Sequence, residues 1–453
     1  MKLLFVNAID ISRPIERRYP PLGIGYLCSY LRARYPLDKI ECRVVEGNIE
    51  REILEFKPDI VGISAVTQNY NMAVACAAIA KKRGIAVICG GIHISMMPMS
   101  LATDMDVGVI GEGEETLCEL YGLFRAERKF PKEALKNVKG VAYWNEPGTV
   151  AMTEPRSQIT ELDTIPFPDR DLFVAGEETY IFSSRGCPYS CRFCASTRFW
   201  KRIRFFSADY VVREIENLYT RRQVTKINFY DDLFCADITR MKRIVDLLEQ
   251  KGLLGKIEFI GALRANIVTG EAGALLKKMG FSAIGIGLES GCDETLAYLK
   301  GEGINNNDNR TAIDVLTGSG IKVLGSFIIG SPNETKADIL KTYAFIKNND
   351  LAGFNIYILT PFPGTAVWDY AVSRNLVSED MDWSRLSIDF EHHHHLAVIL
   401  SEKVSRNELY RLYMKFIRYR KVVERKKRIL NIWKDITGIM RSFSKRHKDG
   451  EER

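Results

Sequence analysis

Two successive series of short apolar runs, each followed by stretches of helical spacing, constrain this 453-residue chain more than any other feature. In the first series Lys2–Ala8, Glu41–Glu46, Asp59–Val66, Ile85–Gly90 and Asp106–Gly111 read as buried strands. Leu22–Arg34, Asn69–Arg83 and Glu114–Phe124 read as helices between them. This alternation predicts an α/β, doubly wound (flavodoxin-like) parallel sheet that takes ligands at the carboxyl ends of its strands. The second series holds six strand-like runs: Tyr180–Ser184, Lys226–Tyr230, Ile257–Leu263, Ala283–Leu288, Lys322–Ile329 and Phe354–Leu359. Ala208–Arg221, Ile238–Lys251 and Asn309–Ser319 supply helices. Six β/α repeats predict a partial (β/α)6 TIM-type barrel, with chemistry at the C-terminal ends of its strands.

The expected organisation is a front domain over 1–140, a hairpin and connector over 141–175, a barrel over 176–375 and a helical, basic region over 376–453. The hairpin is read at Val141–Thr153, turning at Asn145–Gly148, and the connector at the proline-bearing stretch Leu162–Asp169. Ten cysteines with only one clustered group exclude a secreted disulfide framework. The first apolar run is too short for a signal peptide, and no run of eighteen apolar residues stands ready to span a membrane. These features predict a cytoplasmic setting.

The clustered cysteines are Cys187, Cys191 and Cys194, spaced C-x3-C-x2-C in one short loop after the first barrel strand. Three soft thiolates suit an iron–sulfur cluster better than a closed structural zinc site, which takes four ligands. In the front domain the inter-strand loops are rich in small residues: Pro20–Gly25, Ser64–Thr67, Gly90–His93 and Gly111–Glu114. Such loops let backbone approach a ligand closely.

The cysteine spacing, with Phe193 before the last cysteine, resembles the signature of the radical S-adenosylmethionine (SAM) superfamily. That resemblance implies a [4Fe-4S] cluster on Cys187, Cys191 and Cys194, whose open iron is chelated by SAM. One electron then cleaves SAM to a 5′-deoxyadenosyl radical. An open-iron cluster is easily oxidised, so the resemblance also implies an oxygen-poor setting. Further motifs match in order. Asp231 or Asp232, after the second barrel strand, would receive the SAM amino group, and Arg264 its carboxylate. Glu289 and Ser290 resemble the ribose-contacting pair, and the segment holding Gly330 and Pro332 resembles the adenine-binding motif. Thr360–Thr365 resembles the last barrel loop.

Joined to such a barrel, the front domain resembles that of cobalamin-dependent radical SAM enzymes, in the branch of the anaerobic magnesium-protoporphyrin IX monomethyl ester oxidative cyclase. The resemblance implies that Pro21, Gly23, Ser64, Thr67, Gly91, His93, Glu112 and Gly113 line a cobalamin site. The D-x-H-x-x-G motif that supplies a histidine to cobalt is absent; Asn7–Ser12 stands after the first strand instead. Cobalamin is therefore expected base-off, with no protein histidine ligand. The implied reaction is modification of an unactivated carbon of a small-molecule or lipid substrate, by methyl transfer first, with cyclisation, ring contraction or oxygen insertion also open. A cobalamin-independent radical SAM oxidoreductase and a non-catalytic cobalamin or redox sensor are the alternatives. An electron donor such as flavodoxin or ferredoxin is implied.

Cys28, Cys42, Cys76, Cys89 and Cys118 show no metal spacing and read as buried apolar residues, while Cys235 and Cys292 fall in barrel-mouth loops. His392–His395 reads as a loop rather than a metal site. From Glu402 onward there are 17 Lys and Arg against 7 Asp and Glu, in a chain of net charge +7. Arg425–Phe443 spaces Ile429, Leu430, Ile432, Trp433, Ile436, Ile439, Met440 and Phe443 as an apolar stripe among basic residues. It is expected to pack on the barrel or to meet an anionic membrane surface at the inner face. Nucleic acid is an unlikely partner, for no stacking platform accompanies the charge.

Overall fold

The computed structural model describes residues 1–12, 20–174 and 176–425. The apolar stripe of the tail lies outside the described residues, apart from Arg425.

The front sheet has seven strands: β1 (Lys2–Ala8), β2 (Glu41–Val45), β3 (Ile60–Ala65), β4 (Ala86–Gly90), β5 (Val107–Val109), β6 (Val141–Glu146) and β7 (Thr149–Met152). Their order is β2-β1-β3-β4-β5-β6-β7. β1 to β5 pair in parallel, and their order reverses between β1 and β3, which opens a crevice at the ends of those two strands. Leu3 and Leu4 of β1 point to opposite faces and are both fully buried, as a strand covered by helices on both faces requires. The helices Leu22–Arg34, Ile49–Phe56, Tyr70–Lys81 and Glu114–Glu127 supply that cover.

The hairpin forms where the sequence predicts it, but it belongs to the front sheet rather than to the connector. β6 pairs antiparallel with β5, Val109 opposite Val141, and β7 closes the edge. A hairpin's local signals fix its own two strands, whereas its pairing with β5 depends on side-chain burial across the sheet.

The second sheet is all parallel, in the order β15-β14-β13-β12-β11-β8. Its strands are β8 (Glu178–Ile181), β11 (Lys226–Phe229), β12 (Glu258–Leu263), β13 (Phe281–Glu289), β14 (Lys322–Ile329) and β15 (Gly353–Ile358). Between β8 and β11 two short strands, β9 (Ser184–Arg185) and β10 (Arg204–Phe205), pair antiparallel and strap the cysteine loop. The barrel helices begin at capping side chains: Ser207, Asp237, Thr269, Asn305 and Thr335 each accept a backbone N–H of the first turn. Asn305 with Asp308, and Thr335 with Asp338, close complete capping boxes.

Over residues 377–425 the chain is less helical than its periodicity suggests. It makes single turns at Trp383–Leu386 and Phe390–His393, then a long helix over 406–425. The reason is the double duty of this region. Trp383, Leu386, Val398 and Leu400 join one apolar core with Ile63 and Ala65 of the front sheet, while Leu409, Phe416 and Ile417 cover the barrel. That front core also takes in Ile328 and Leu359 of the barrel, so the two sheets share buried surface. No helix among the described residues is long and apolar enough to cross a membrane.

Candidate active site between the two sheets

A cavity of about 840 Å³ runs from the carboxyl ends of β1, β3 and β4 to the inner face of the barrel. Asn7, Ser64, Gly90 and Gly91 wall it on the front side; Asn228, Tyr230, Gly261, Gly285 and Ser326 wall it on the barrel side. Gly186, adjacent to Cys187, lies between them.

Glycines open this space. Gly91 sits at φ +100°, and a Cβ there would stand 2.6 Å from the Ala65 carbonyl oxygen. Gly186 sits at φ +92°, and a Cβ there would meet the Arg202 carbonyl oxygen at 2.8 Å. Both positions exclude a side chain on steric and dihedral grounds.

The cysteine loop is pinned at its middle. Arg192 donates its N–H to the Leu299 carbonyl and accepts from the N–H of Val367, so the loop hangs between two barrel segments. Phe193 packs half-buried on the front core. Burial pushes the Cys187 thiol up and the Cys194 thiol up to about 11. Such thiols ionise at neutral pH when a metal centre takes the sulfur, which is the chemistry an iron–sulfur cluster provides. Arg264 reinforces the fit: one Nη donates to Cys191 Sγ at 3.1 Å, while the guanidinium stacks on Tyr189 at 4.1 Å. No three His, Cys, Asp or Glu among the described residues close round a single metal ion. A multi-iron cube is held by more widely set thiolates than one ion, so the loop is read against the cube.

The paired aspartates divide their work. Asp231 is buried and accepts from Ser183 N at 2.6 Å, Ser183 Oγ at 2.5 Å and Ser184 N at 3.1 Å. Its carboxylate fastens the end of β8 to β11. Asp232 accepts from Ser196 Oγ at 2.7 Å, two residues past Cys194, and burial raises its pKa. Of the two, Asp232 is thus the one beside the cluster loop.

Glu289, Ser290, Gly330 and Pro332 end β13 and β14 as expected, but they are not among the cavity walls. Glu289 stands at φ +57° and makes a buried ion pair with Lys300 at 3.2 Å. Ser290 Oγ lies 3.1 Å from Thr342 Oγ1 and accepts the N–H of Cys292. Gly330 N donates to Glu334 at 2.6 Å, and burial pushes the Glu334 carboxyl up to about 7.

Of the expected cobalamin residues, Pro21, Gly23, Ser64, Gly91, Glu112 and Gly113 do wall the cavity. Thr67 and His93 do not. Thr67 is buried in the turn Thr67–Asn69, whose Gln68 accepts the N–H of Ile388. His93 is fully buried, stacked on Tyr70 at 3.8 Å and edge-on to Trp383 at 4.6 Å, with Nε2 3.0 Å from Ser100 Oγ. It is a core histidine under the C-terminal region. Glu112 is spent on ion pairs with Arg185 and Arg204. Sequence reasoning missed those two arginines, whose partners lie 73 and 92 residues away.

The remaining cysteines follow their expected roles in part. Cys28, Cys89 and Cys118 are buried, whereas Cys42 and Cys76 are half-buried. Cys235 packs against the Met241 sulfur at 3.3 Å, and Cys292 lies by Glu294 at 2.8 Å. Of the histidine quartet, His392 pairs with Asp389 at 3.0 Å and His394 stacks on Tyr410 at 3.8 Å.

Each of the two sheets overlaps a known domain family. The radical SAM superfamily model matches residues 181–346, and the B12 binding domain model matches residues 10–121. The chain is 32% identical over 407 residues to an uncharacterized methyltransferase of Pyrococcus horikoshii, covering 85% of this chain and 86% of that one. It is 30% identical over 394 residues to the anaerobic magnesium-protoporphyrin IX monomethyl ester cyclase of Rubrivivax gelatinosus, covering 80% and 68%. In fold it is similar to the radical S-adenosylmethionine methyltransferase TsrM of Kitasatospora setae, with TM-score 0.67 and 18% identity over 82% of this chain and 76% of that one. The chain belongs to the cobalamin-dependent radical SAM enzymes. A [4Fe-4S] cluster, SAM and cobalamin are the cofactors of such an enzyme.

Proposed function

We propose that the chain transfers a methyl group to an unactivated carbon of a small-molecule or lipid substrate, with cobalamin held base-off. One observation carries the reading: a single cavity joins the front-sheet crevice to the inner face of the barrel, with Gly91 and Gly113 of the front loops and Asp231 and Asp232 of the barrel on its walls. When bound, the cluster and SAM supply a carbon-centred radical, and cobalamin supplies the methyl group.

The chain's own residues bind, orient and exclude water. Cys187, Cys191 and Cys194 hold the cluster, and Arg264 offsets its negative charge through Cys191. Asp232 stands ready for the SAM amino group, while Asp231 keeps β8 and β11 in register. On the front side an apolar slot lined by Leu3, Phe5, Ile24, Ile60 and Ile88 runs along the sheet face beneath the crevice. It suits the displaced nucleotide tail of cobalamin. No histidine is among the cavity walls, and His93 Nε2 lies 3.0 Å from Ser100 Oγ instead. A flavodoxin- or ferredoxin-type donor would supply the electron. The basic tail adds a contact with an anionic membrane surface, supported by its charge and apolar spacing alone.

The test uses anaerobic holoprotein with SAM and reductant. Base-off cobalamin absorption, with 5′-deoxyadenosine and S-adenosylhomocysteine both formed, is the expected result. 5′-Deoxyadenosine alone would replace methyl transfer by another radical reaction, such as cyclisation. A base-on spectrum would overturn the binding mode.

A further inference from the structure

Four charged side chains meet at the seam between the two sheets, and all are buried. Glu112 and Glu114 are each 6% exposed, Arg185 8% and Arg204 5%. Arg185 reaches Glu112 at 2.6 Å and Glu114 at 2.6 Å; Arg204 reaches Glu112 at 2.9 Å through one Nη and 3.1 Å through the other. The backbone of Ile159, in the connector, donates to Glu112 at 2.9 Å, and its carbonyl accepts from Arg204. Both guanidinium groups also lie over the Trp200 ring, at 5.7 and 5.6 Å. Burial opposes the charge on Glu112, yet the hydrogen bond from Arg204 and the field of Arg185 hold it below the usual carboxylate range.

Buried ion clusters are seldom a net source of stability, because desolvation offsets their attraction. Their bidentate forks do fix geometry. Here the two ends of the cluster stand next to the two cofactor sites. Glu112 lies between Gly111 and Gly113, which wall the front side of the cavity, and Arg185 is separated from Cys187 only by Gly186. Arg185 and Arg204 are cross-strand partners in the strap β9–β10, so one strap carries both forks.

We propose that Glu112, Arg185 and Arg204 are positioning residues that set the separation between the cobalamin loop and the cluster loop. Methyl transfer between two reactive centres requires them to keep a fixed spacing, since small misplacement costs orders of magnitude in rate. This rests on the cobalamin reading of the front site.

The experiment is magnetic. In holoenzyme reduced so that the cluster and cob(II)alamin are both paramagnetic, the fast-relaxing cluster shortens the relaxation time of cobalamin, steeply with distance. The measurement compares wild type with Glu112→Gln, which removes the charge, and with Arg204→Lys, which keeps charge and removes the fork. Iron and cobalamin contents are measured alongside. The expected result is at least a threefold loss of relaxation enhancement in a variant that retains both cofactors. Unchanged enhancement in both variants would overturn the proposal. So would loss of cobalamin from both, or from Glu112→Gln with Arg204→Lys unchanged, because the cluster would then retain a cofactor rather than set a distance. Wild type that takes up no cobalamin would instead sink the reading beneath it.

Discussion

Burial pulls the His93 imidazole down to about 3, so the ring stays neutral between Tyr70 and Trp383. In the unfolded chain the same group titrates near its ordinary value of 6.5. Its neutral burial therefore costs nothing above that value, and stability falls as pH drops from about 6.5 towards 3. Between pH 7 and pH 5 the loss from this residue is about 2 kcal/mol. His93→Phe, which keeps a ring in the stack, should flatten the fall in denaturant midpoint over that range; an unchanged slope would place the acid sensitivity elsewhere. The two aspartates invite a parallel comparison. Asp231→Ala strands three buried donors and should destabilise the protein by about 2–4 kcal/mol. Asp232→Asn should weaken SAM binding, read by equilibrium dialysis, with the melting temperature unchanged. Equal loss of stability in both would show that Asp232 is structural too. At this scale the sequence showed the types of residue but not their partners. His93 looked like a lining residue of the cobalamin site because Gly90–His93 is a small-residue loop, and only the fold brings Trp383 across to cover it. Glu112 looked available for the same reason.

Elements were far more legible than contacts. β1, β14 and the helix Leu22–Arg34 have the bounds the sequence suggests, because apolar runs of strand length alternate with longer stretches that prolines and polar turns delimit. The cysteine loop was legible for a different reason: three thiols in eight residues have few structural uses. What stayed hidden was pairing. The β6–β7 hairpin carries its turn signal in Asn145–Gly148, yet nothing local marks it as the edge of the front sheet. The region after 376 reads as helical through its apolar spacing, but that spacing serves two cores at once and breaks the helix into turns. The loop after β4 gives the test at this scale. Gly91→Ala places a methyl group 2.6 Å from the Ala65 carbonyl oxygen at a positive φ, which should cost about 1–3 kcal/mol and distort the front wall of the cavity. Cobalamin retention on gel filtration should fall while iron content stays near that of wild type. Full cobalamin content in the variant would detach this loop from the site.

Across the whole molecule the two sheets act as one unit. A shared apolar core, the C-terminal cover and the charged clamp all cross the seam where the cavity lies. The carboxyl ends of β1, β3 and β4 face the inner side of the barrel across this seam. The basic tail beyond residue 425 lies outside the described residues. Flotation with anionic liposomes should recover the full chain at low salt and lose it at high salt, and removing residues 422–453 should abolish recovery. Equal recovery of both forms would assign the tail no role at a membrane. The central claim, that Cys187, Cys191 and Cys194 hold the cluster that cleaves SAM, has a more direct test. Anaerobically reconstituted wild type, given SAM and dithionite, should form 5′-deoxyadenosine. Replacement of all three cysteines by alanine should remove the brown cluster absorption and reduce 5′-deoxyadenosine to the level of the protein-free control. Retained 5′-deoxyadenosine formation by the triple variant would contradict the claim.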